Sequence, residues 1–423
     1  MWHWAATGGA AAALAIWAFL LLARGGFWRT GRQRDDFEQP GGPGSDPMHW
    51  PRVTAVVPAR NEADLLPQSL SSLLAQDYPG AFSVILVDDH SSDGTAEAAR
   101  AVAAVCPTPG RLAILKGAPL PHGWTGKLWA VSQGVASAEA SSAPPEYLLL
   151  TDADIGYAPD ALASLVRRAR AQHCVMVSLM AKLRCQSRAE RLLVPAFIFF
   201  FQMLYPFAWV NRKDRSTAAA AGGCMLVQRQ ALAAAGGIAS IRGALIDDCA
   251  LGARLKRQGP VWLGLTERVR SLRPYPGVSD IRRMVARSAY AQLRYSPWLL
   301  AGTAAAMSIA YLAAPLIALL GGGAAQGIAA LAWLLMAAAF WPTLRFYRRS
   351  PLWAPMLPLI AAVYLVFTLD SAWQHVHGRG GMWKGRSQAL PSAPPPLTEG
   401  EGILSAAGSL SRAAGEGQDE GAG

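Results

Sequence analysis

Val53–Glu62 reads VTAVVPARNE and Ser83–Thr95 reads SVILVDDHSSDGT. In each, a short run of β-branched and apolar residues stops abruptly. Val53–Val57 gives way to Pro58, Ala59 and Glu62, and Ser83–Val87 to Asp88 and Asp89. Short unbroken apolar runs of this kind are the pattern of strands buried on both faces. Between them, residues 63–76 predict a helix, and Asp93 and Thr95 open a second one running to about Val105. Further along, Arg111–Leu115 reads as a third strand, Thr125–Ala138 as a third helix and Tyr147–Thr151 (YLLLT) as a fourth strand. Strands alternating with helices of about a dozen residues predict an α/β domain whose mostly parallel sheet is covered on both faces.

In such sheets a ligand sits beyond the carboxyl ends of the strands. Three of those ends carry polar clusters here: PARNE at 58–62, DDHSSDGT at 88–95 and DAD at 152–154. Asp152 and Asp154 are two apart just past a buried strand, so in an extended continuation they share a face. Two carboxylates held together repel unless a cation lies between them. A hard divalent ion, Mg2+ or Mn2+, suits oxygen ligands and would bridge a diphosphate. The other reading is a plain Asp-rich turn.

Asp247 and Asp248 open the run IDDCALGARLKRQG at 246–259. One of these acids beside a diphosphate would serve as a base for an acceptor hydroxyl, the other capping the helix or orienting the first. A doubled N-cap acid is the structural alternative. Lys127, near the start of the third helix, is placed either to meet a phosphate with the help of the helix N-terminus or to stand as a solvated lysine.

The chain has 423 residues, of which 52% are apolar and 16% charged, with a mean hydropathy of +0.20. Apolar residues gather at the two ends. Ala5–Ala23 is long enough to span a bilayer. No positive charge precedes it, and Arg24, Arg29, Arg32 and Arg34 follow. It therefore reads as an uncleaved anchor over 1–24, with the main domain on the cytoplasmic side of the inner membrane. Three more stretches, Trp298–Leu320, Ala324–Trp341 and Leu352–Trp373, predict a membrane region over 297–374 and a multi-pass chain. The basic HGRGGMWKGR that follows favours the inside, whereas three spans would put the tail outside. Residues 388–423, rich in Ala, Gly, Ser, Pro and Glu, predict disorder. A further apolar stretch, Leu192–Val210, lies inside the main domain. It reads as an interfacial or re-entrant pair of helices broken near Pro195 and Pro206, or as a buried core helix.

The net charge of +11 fits anionic headgroups, with a share for a diphosphate from the arginines between 254 and 294. No recognition-helix or aromatic RNA platform argues for nucleic acid. The cysteines at 106, 174, 185, 224 and 249 are odd in number and form no CxxC pair. That argues against a zinc site or a disulfide framework and for a reducing cytoplasm.

Taken together, VTAVVPARNE, ILVDDHSSDGT, LLLTDADI and LIDDCALGARLKRQG resemble glycosyltransferase family 2, inverting enzymes of the GT-A (nucleotide-diphospho-sugar transferase) fold, over residues 51–296. PHGWTGKLWAVSQG, the WKGR after the last apolar stretch and the membrane layout resemble the hopene-associated subgroup. The resemblance implies a catalytic domain over 51–296 in which Asp88 binds the nucleotide base, with Pro58, Ala59 and Glu62 lining that pocket and Asp89 close by. It implies a DxD pair in Asp152 and Asp154, with Asp154 as the metal ligand. Asp248 becomes the catalytic base, with Asp247 where the family more often has Glu. Processive members carry Gln-x-x-Arg-Trp; here AQLRY at 291–295 keeps Arg294, replaces Trp by Tyr295 and shifts the Gln. This favours a single transfer, with Arg294 holding the diphosphate. The implied activity is that of a metal-dependent hexosyltransferase using a nucleotide-sugar, UDP being the commoner donor, on a membrane lipid in hopanoid-related biosynthesis. A processive polysaccharide synthase and an inactive nucleotide-sugar-binding scaffold are the alternatives.

Overall fold

The computed structural model describes residues 2–35, 49–106, 108–378, 382–383 and 386–387; the tail expected to be disordered, 388–423, lies outside the described residues. Eight strands form one sheet: β1 Val53–Ala59, β2 Phe82–Asp88, β3 Leu112–Lys116, β4 Tyr147–Leu150, β5 Ile155–Tyr157, β6 Met176–Lys182, β7 Met225–Gln228 and β8 Val261–Ser271. Their order is β3-β2-β1-β4-β7-β6-β8-β5. β3, β2, β1 and β4 run parallel. β7 lies antiparallel to both β4 and β6, and β5 antiparallel to β8. The sheet is thus mixed, with a parallel half that the sequence reading foresaw.

β1 is buried along its whole length because both faces are covered. Val53, Ala55 and Val57 point into one apolar core and Val56 into the other, the alternation of a pleated strand. The first core is closed by the helices Leu66–Leu74, Thr95–Ala104 and Ala161–Ala171. The second is closed by Gly126–Glu139, which approaches β1 so tightly that a Cβ on Gly134 would lie 2.4 Å from a methyl of Val56.

The second core continues into the apolar helices. Among the described residues, five segments are long and apolar enough to cross a membrane: Trp4–Leu22, Arg188–Val210, Pro297–Leu320, Gly323–Phe346 and Pro351–Val376. The helix Trp2–Leu22 meets Gly323–Phe346 through small residues, Ala13 packing with Ala314 and Ala332. Its Trp17 indole donates to the Ala310 carbonyl at 2.7 Å, in the π-helical turn Ser308–Ala313.

Arg188–Leu204 is one helix that runs through Pro195, where the sequence suggested a break; the chain breaks at Tyr205 and Pro206, before the short helix Phe207–Val210. Its start is fixed by a capping box between Ser187 and Glu190. Pro195 is buried inside this helix, as are Leu193, Val194 and Ala196 beside it. In its most apolar 18-residue stretch 56% of the residues are buried within the molecule, against 17% in that of Trp4–Leu22.

Candidate active site

The carboxyl ends of β1, β2 and β4 open on one rim, since β1 lies between the other two. The loops after β1 and β2 are laced together. Asn61 donates its amide to Ser91 Oγ at 3.0 Å and accepts from the Ser92 amide at 2.9 Å. The Glu62 amide donates to Thr95 Oγ1 at 2.9 Å, and Asp93 accepts from the amides of Ala63 and Thr95. Asn61 and His90 hold positive φ, 50° and 55°, at the two corners. Asp88 accepts from the Ser91 amide at 3.1 Å, and buried Asp89 donates its backbone amide to the Ala59 carbonyl at 2.8 Å.

The Asp152–Asp154 turn is fixed from behind. Thr151 Oγ1 donates to the Gly223 carbonyl at 2.8 Å and receives the Tyr157 hydroxyl at 2.7 Å. Asp247 and Asp248 begin the helix Asp247–Lys256. That helix docks closely because Gly252 faces backbone: a Cβ there would lie 3.0 Å from the Ala219 carbonyl carbon.

Two cations then join the acids. Lys127 Nζ sits 2.9 Å from Asp152 Oδ1 and 3.0 Å from Asp247 Oδ2. Arg273 donates to Asp154 Oδ2 and to Glu62 Oε1, both at 2.6 Å. Asp248 takes a different position. Its two carboxylate oxygens accept from backbone amides, Gly222 at 3.0 Å and Cys249 at 2.7 Å. Burial pushes its carboxyl up to about 6, the charge of Asp247 adding to the rise while Lys127 and the two amides oppose it. Burial likewise raises Asp152, against the pull of Lys127. Burial alone would discharge Lys127, but Asp152 and Asp247 outweigh it and hold the ammonium above the ordinary lysine range.

A cavity of about 770 Å³ lies over these groups. Pro58, Glu62, Lys127, Asp152, Asp154, Asp247 and Asp248 line it, so the structure gathers into one crevice seven residues that lie as far as 190 positions apart in sequence. Ala59, Asp88 and Asp89 stand at the adjoining ends of β1 and β2 and do not line it. Neither do Arg294 and Tyr295. Both have positive φ, and Tyr295 stacks on His375 at 4.4 Å between ring centres. The cations that do line the cavity are Lys127, Arg273, Arg283 and Arg287. Three of these arginines belong to the basic stretch noted in the sequence, but no local pattern marked which of them reach the acids.

As a metal site the crevice offers Asp152 and Asp154, hard oxygen donors suited to Mg2+ or Mn2+. Each commits one oxygen to a cation, Lys127 or Arg273. Among the described residues no group of three or more His, Cys, Asp or Glu side chains is arranged to hold a metal. Two carboxylates are the whole of the acidic donor set there, so a divalent ion would be held only with further ligands from outside the protein.

A family model described as glycosyl transferase family 2 matches residues 54–236. No curated protein matches the sequence. Among solved structures, the fold is similar to that of the mannosyltransferase PcManGT from Pyrobaculum calidifontis, in complex with GDP-Man and Mn2+, with 21% identity and a TM-score of 0.51 over 85% of this chain and 99% of that one. Glucosyl-3-phosphoglycerate synthase from Mycobacterium tuberculosis, in complex with Mg2+ and UDP, is 17% identical with a TM-score of 0.37 over 58% of this chain and 79% of that one. The mixed sheet with its crevice at the strand ends is the GT-A fold.

Proposed function

We propose, for a chain that carries a glycosyltransferase family 2 domain, that it transfers a single hexose with inversion from a nucleotide-sugar to a lipid of the membrane in which it is anchored. The observation that carries this reading is the crevice itself: a diphosphate-sized space with a DxD pair on one side and a backbone-held carboxylate, Asp248, on the other.

The chemistry follows from that arrangement. The acceptor hydroxyl attacks the anomeric carbon while the bond from that carbon to the β-phosphate oxygen breaks, its electron pair leaving with the nucleoside diphosphate. Asp248 takes the hydroxyl proton; its raised pKa makes it a stronger base than an exposed aspartate. Lys127 and Arg273, now shared among four acids, are placed to turn toward the diphosphate as it enters. A divalent ion at Asp152 and Asp154 would supply charge neutralisation of the leaving diphosphate. The Mn2+ and GDP-Man bound by the Pyrobaculum enzyme, which shares the fold, support such a site. Asp88, with Ala59 and Asp89 beside it, is assigned to the nucleotide base, UDP being the expected donor. Arg294 and Tyr295 retain the expected acceptor or diphosphate contact only through a movement toward the crevice.

The membrane setting supports a lipid acceptor. β6 and β7, on either side of Arg188–Val210, are hydrogen-bonded neighbours. A full crossing would place them on opposite faces of the bilayer, so the segment lies at the interface, with the catalytic domain on the cytoplasmic side of the inner membrane. A hopanoid-related lipid is the acceptor that the subgroup resemblance favours. The test is transfer of labelled sugar from UDP- and GDP-sugars into a membrane lipid extract by the purified full chain. Product is expected with Mn2+ or Mg2+ and is expected to fall at least about a hundredfold with chelator. Undiminished transfer in chelator would remove the metal from this reading, and no transfer from any donor would remove the reading.

A further inference from the structure

The crevice is chemically divided, and only one part is accounted for by the donor. Around Asp152, Asp154 and Asp247 the cations are committed: Lys127 holds two acids and Arg273 two more. The same cavity extends to Phe197 and Phe201, one helical turn apart on Arg188–Leu204 and therefore on the same face. Both are half-buried. This helix is packed on the membrane helix Leu357–Val376, where Tyr364 donates to the Leu193 carbonyl at 2.9 Å. Packed against both is the helix Val278–Ala286, which contributes Met284 and Arg283 to the cavity, with Arg287 at its end. Arg283 and Arg287 are exposed. Arg283 pairs only with Asp280 on its own helix, and among the described residues the Arg287 guanidinium has no acid or carbonyl partner.

We infer that this end of the cavity is an acceptor subsite for a lipid whose headgroup carries a phosphate. The inference rests on the transferase reading, keeps its acceptor hydroxyl as the group that Asp248 deprotonates, and puts a headgroup that also carries a phosphate in place of a neutral hopanoid-related alcohol. An apolar chain lies along Phe197 and Phe201, continuous with the membrane helices. The phosphate takes the planar, charged donors of Arg287, which a neutral lipid alcohol would leave without an acid partner, and of Arg283, whose one paired acid, Asp280, lines the same cavity. A phosphate is also present in the donor, so the same arginines would serve a donor diphosphate equally well in charge. Their place on and at the end of the helix packed against the one that carries the apolar pair, with no ion pair to the acids that Lys127 and Arg273 hold, assigns them to the acceptor.

The test uses the detergent-solubilised full chain and two short-chain lipids that differ only in the phosphate, dihexanoyl phosphatidic acid and dihexanoylglycerol, with binding of UDP and GDP in Mn2+ measured in parallel. Wild-type protein is expected to bind the phosphatidic acid about tenfold or more tightly than the glyceride. Arg287→Gln and Arg283→Gln are expected to remove most of that preference, Arg287→Lys to keep a substantial part of it, and nucleotide affinity to change less than about twofold in all three. Equal affinity for the two lipids, or a preference untouched by either Gln variant, overturns the inference. So does a fall in nucleotide affinity as large as the fall for phosphatidic acid, which would give these arginines to the donor. If neither nucleotide binds wild-type protein while the lipid preference and its loss are seen, the subsite stands and the transferase reading falls.

Discussion

At Asp248, two backbone amides hold the carboxylate while burial and the Asp247 charge raise its pKa to about 6. A base works ionised, and below its pKa the ionised fraction drops tenfold per pH unit. The kcat/KM profile is therefore expected to climb with pH up to about 6 and then level. Asp247→Asn removes the like charge that raises the group and frees Lys127 to act on it, so the climb is expected to shift to lower pH. A profile unmoved by Asp247→Asn would separate the two acids electrostatically. The acids were legible one by one, because each stands at a strand end or a helix start and strand termini are marked by composition. Arg273 was not legible as a partner: it meets Asp154 across 119 residues and Glu62 across 211. Nothing in RPYPG distinguishes it from its neighbours. AQLRY gave a local match, yet the fold turns Tyr295 onto His375 and leaves both Arg294 and Tyr295 out of the cavity lining.

Among the elements, the helix Asp247–Lys256 sets the distance between Asp248 and the Asp152–Asp154 turn, and its seat depends on the lack of a side chain at Gly252, where a Cβ would lie 3.0 Å from the Ala219 carbonyl carbon. Gly252→Ala is expected to push the helix outward. Thermal unfolding should show a loss of about 1–3 kcal/mol. kcat should fall more than donor KM rises, since the base moves and the nucleotide end does not. Unchanged kcat would mean that the helix tolerates the shift without displacing the base. β1 to β4 and their helices were readable because the period changes cleanly between buried run and amphipathic helix. β6, β7 and β8 belong to the sheet's mixed half, where short apolar runs such as VWLGL do not separate strand from buried helix by pattern alone. The missing break at Pro195 has the same origin: a proline in an otherwise apolar stretch suggests an end, and tertiary packing overrides it.

Across the whole molecule, the first apolar helix and the sheet domain are joined by hydrogen bonds. Arg24, just past the first helix, donates to the carbonyls of Met203 and Leu204. Arg34 bridges to Leu265, and Asp35, whose amide bonds the Leu265 carbonyl at 2.8 Å, is buried beside Arg268. The segment after Trp2–Leu22 is thus joined to β8 and to the end of Arg188–Leu204. Gln186 and Lys213 are exposed on either side of Arg188–Val210, a segment flanked by the hydrogen-bonded strands β6 and β7, and the proposed interfacial placement puts both on one side of the bilayer. In sealed vesicles, Gln186→Cys and Lys213→Cys are expected to react with a membrane-impermeant thiol reagent from the same face at similar rates. Labelling from opposite faces would make the segment a true span and divide the domain.

The convergence of acids on one crevice is tested most directly by Asp248→Asn, an isosteric change that keeps the space of the side chain and removes its charge. Nucleoside diphosphate binding in Mn2+ is expected to stay within about threefold of wild type while sugar transfer falls by at least about a hundredfold, the range for loss of a general base. Retained transfer, or binding lost in step with it, would contradict a catalytic Asp248 set against the DxD pair.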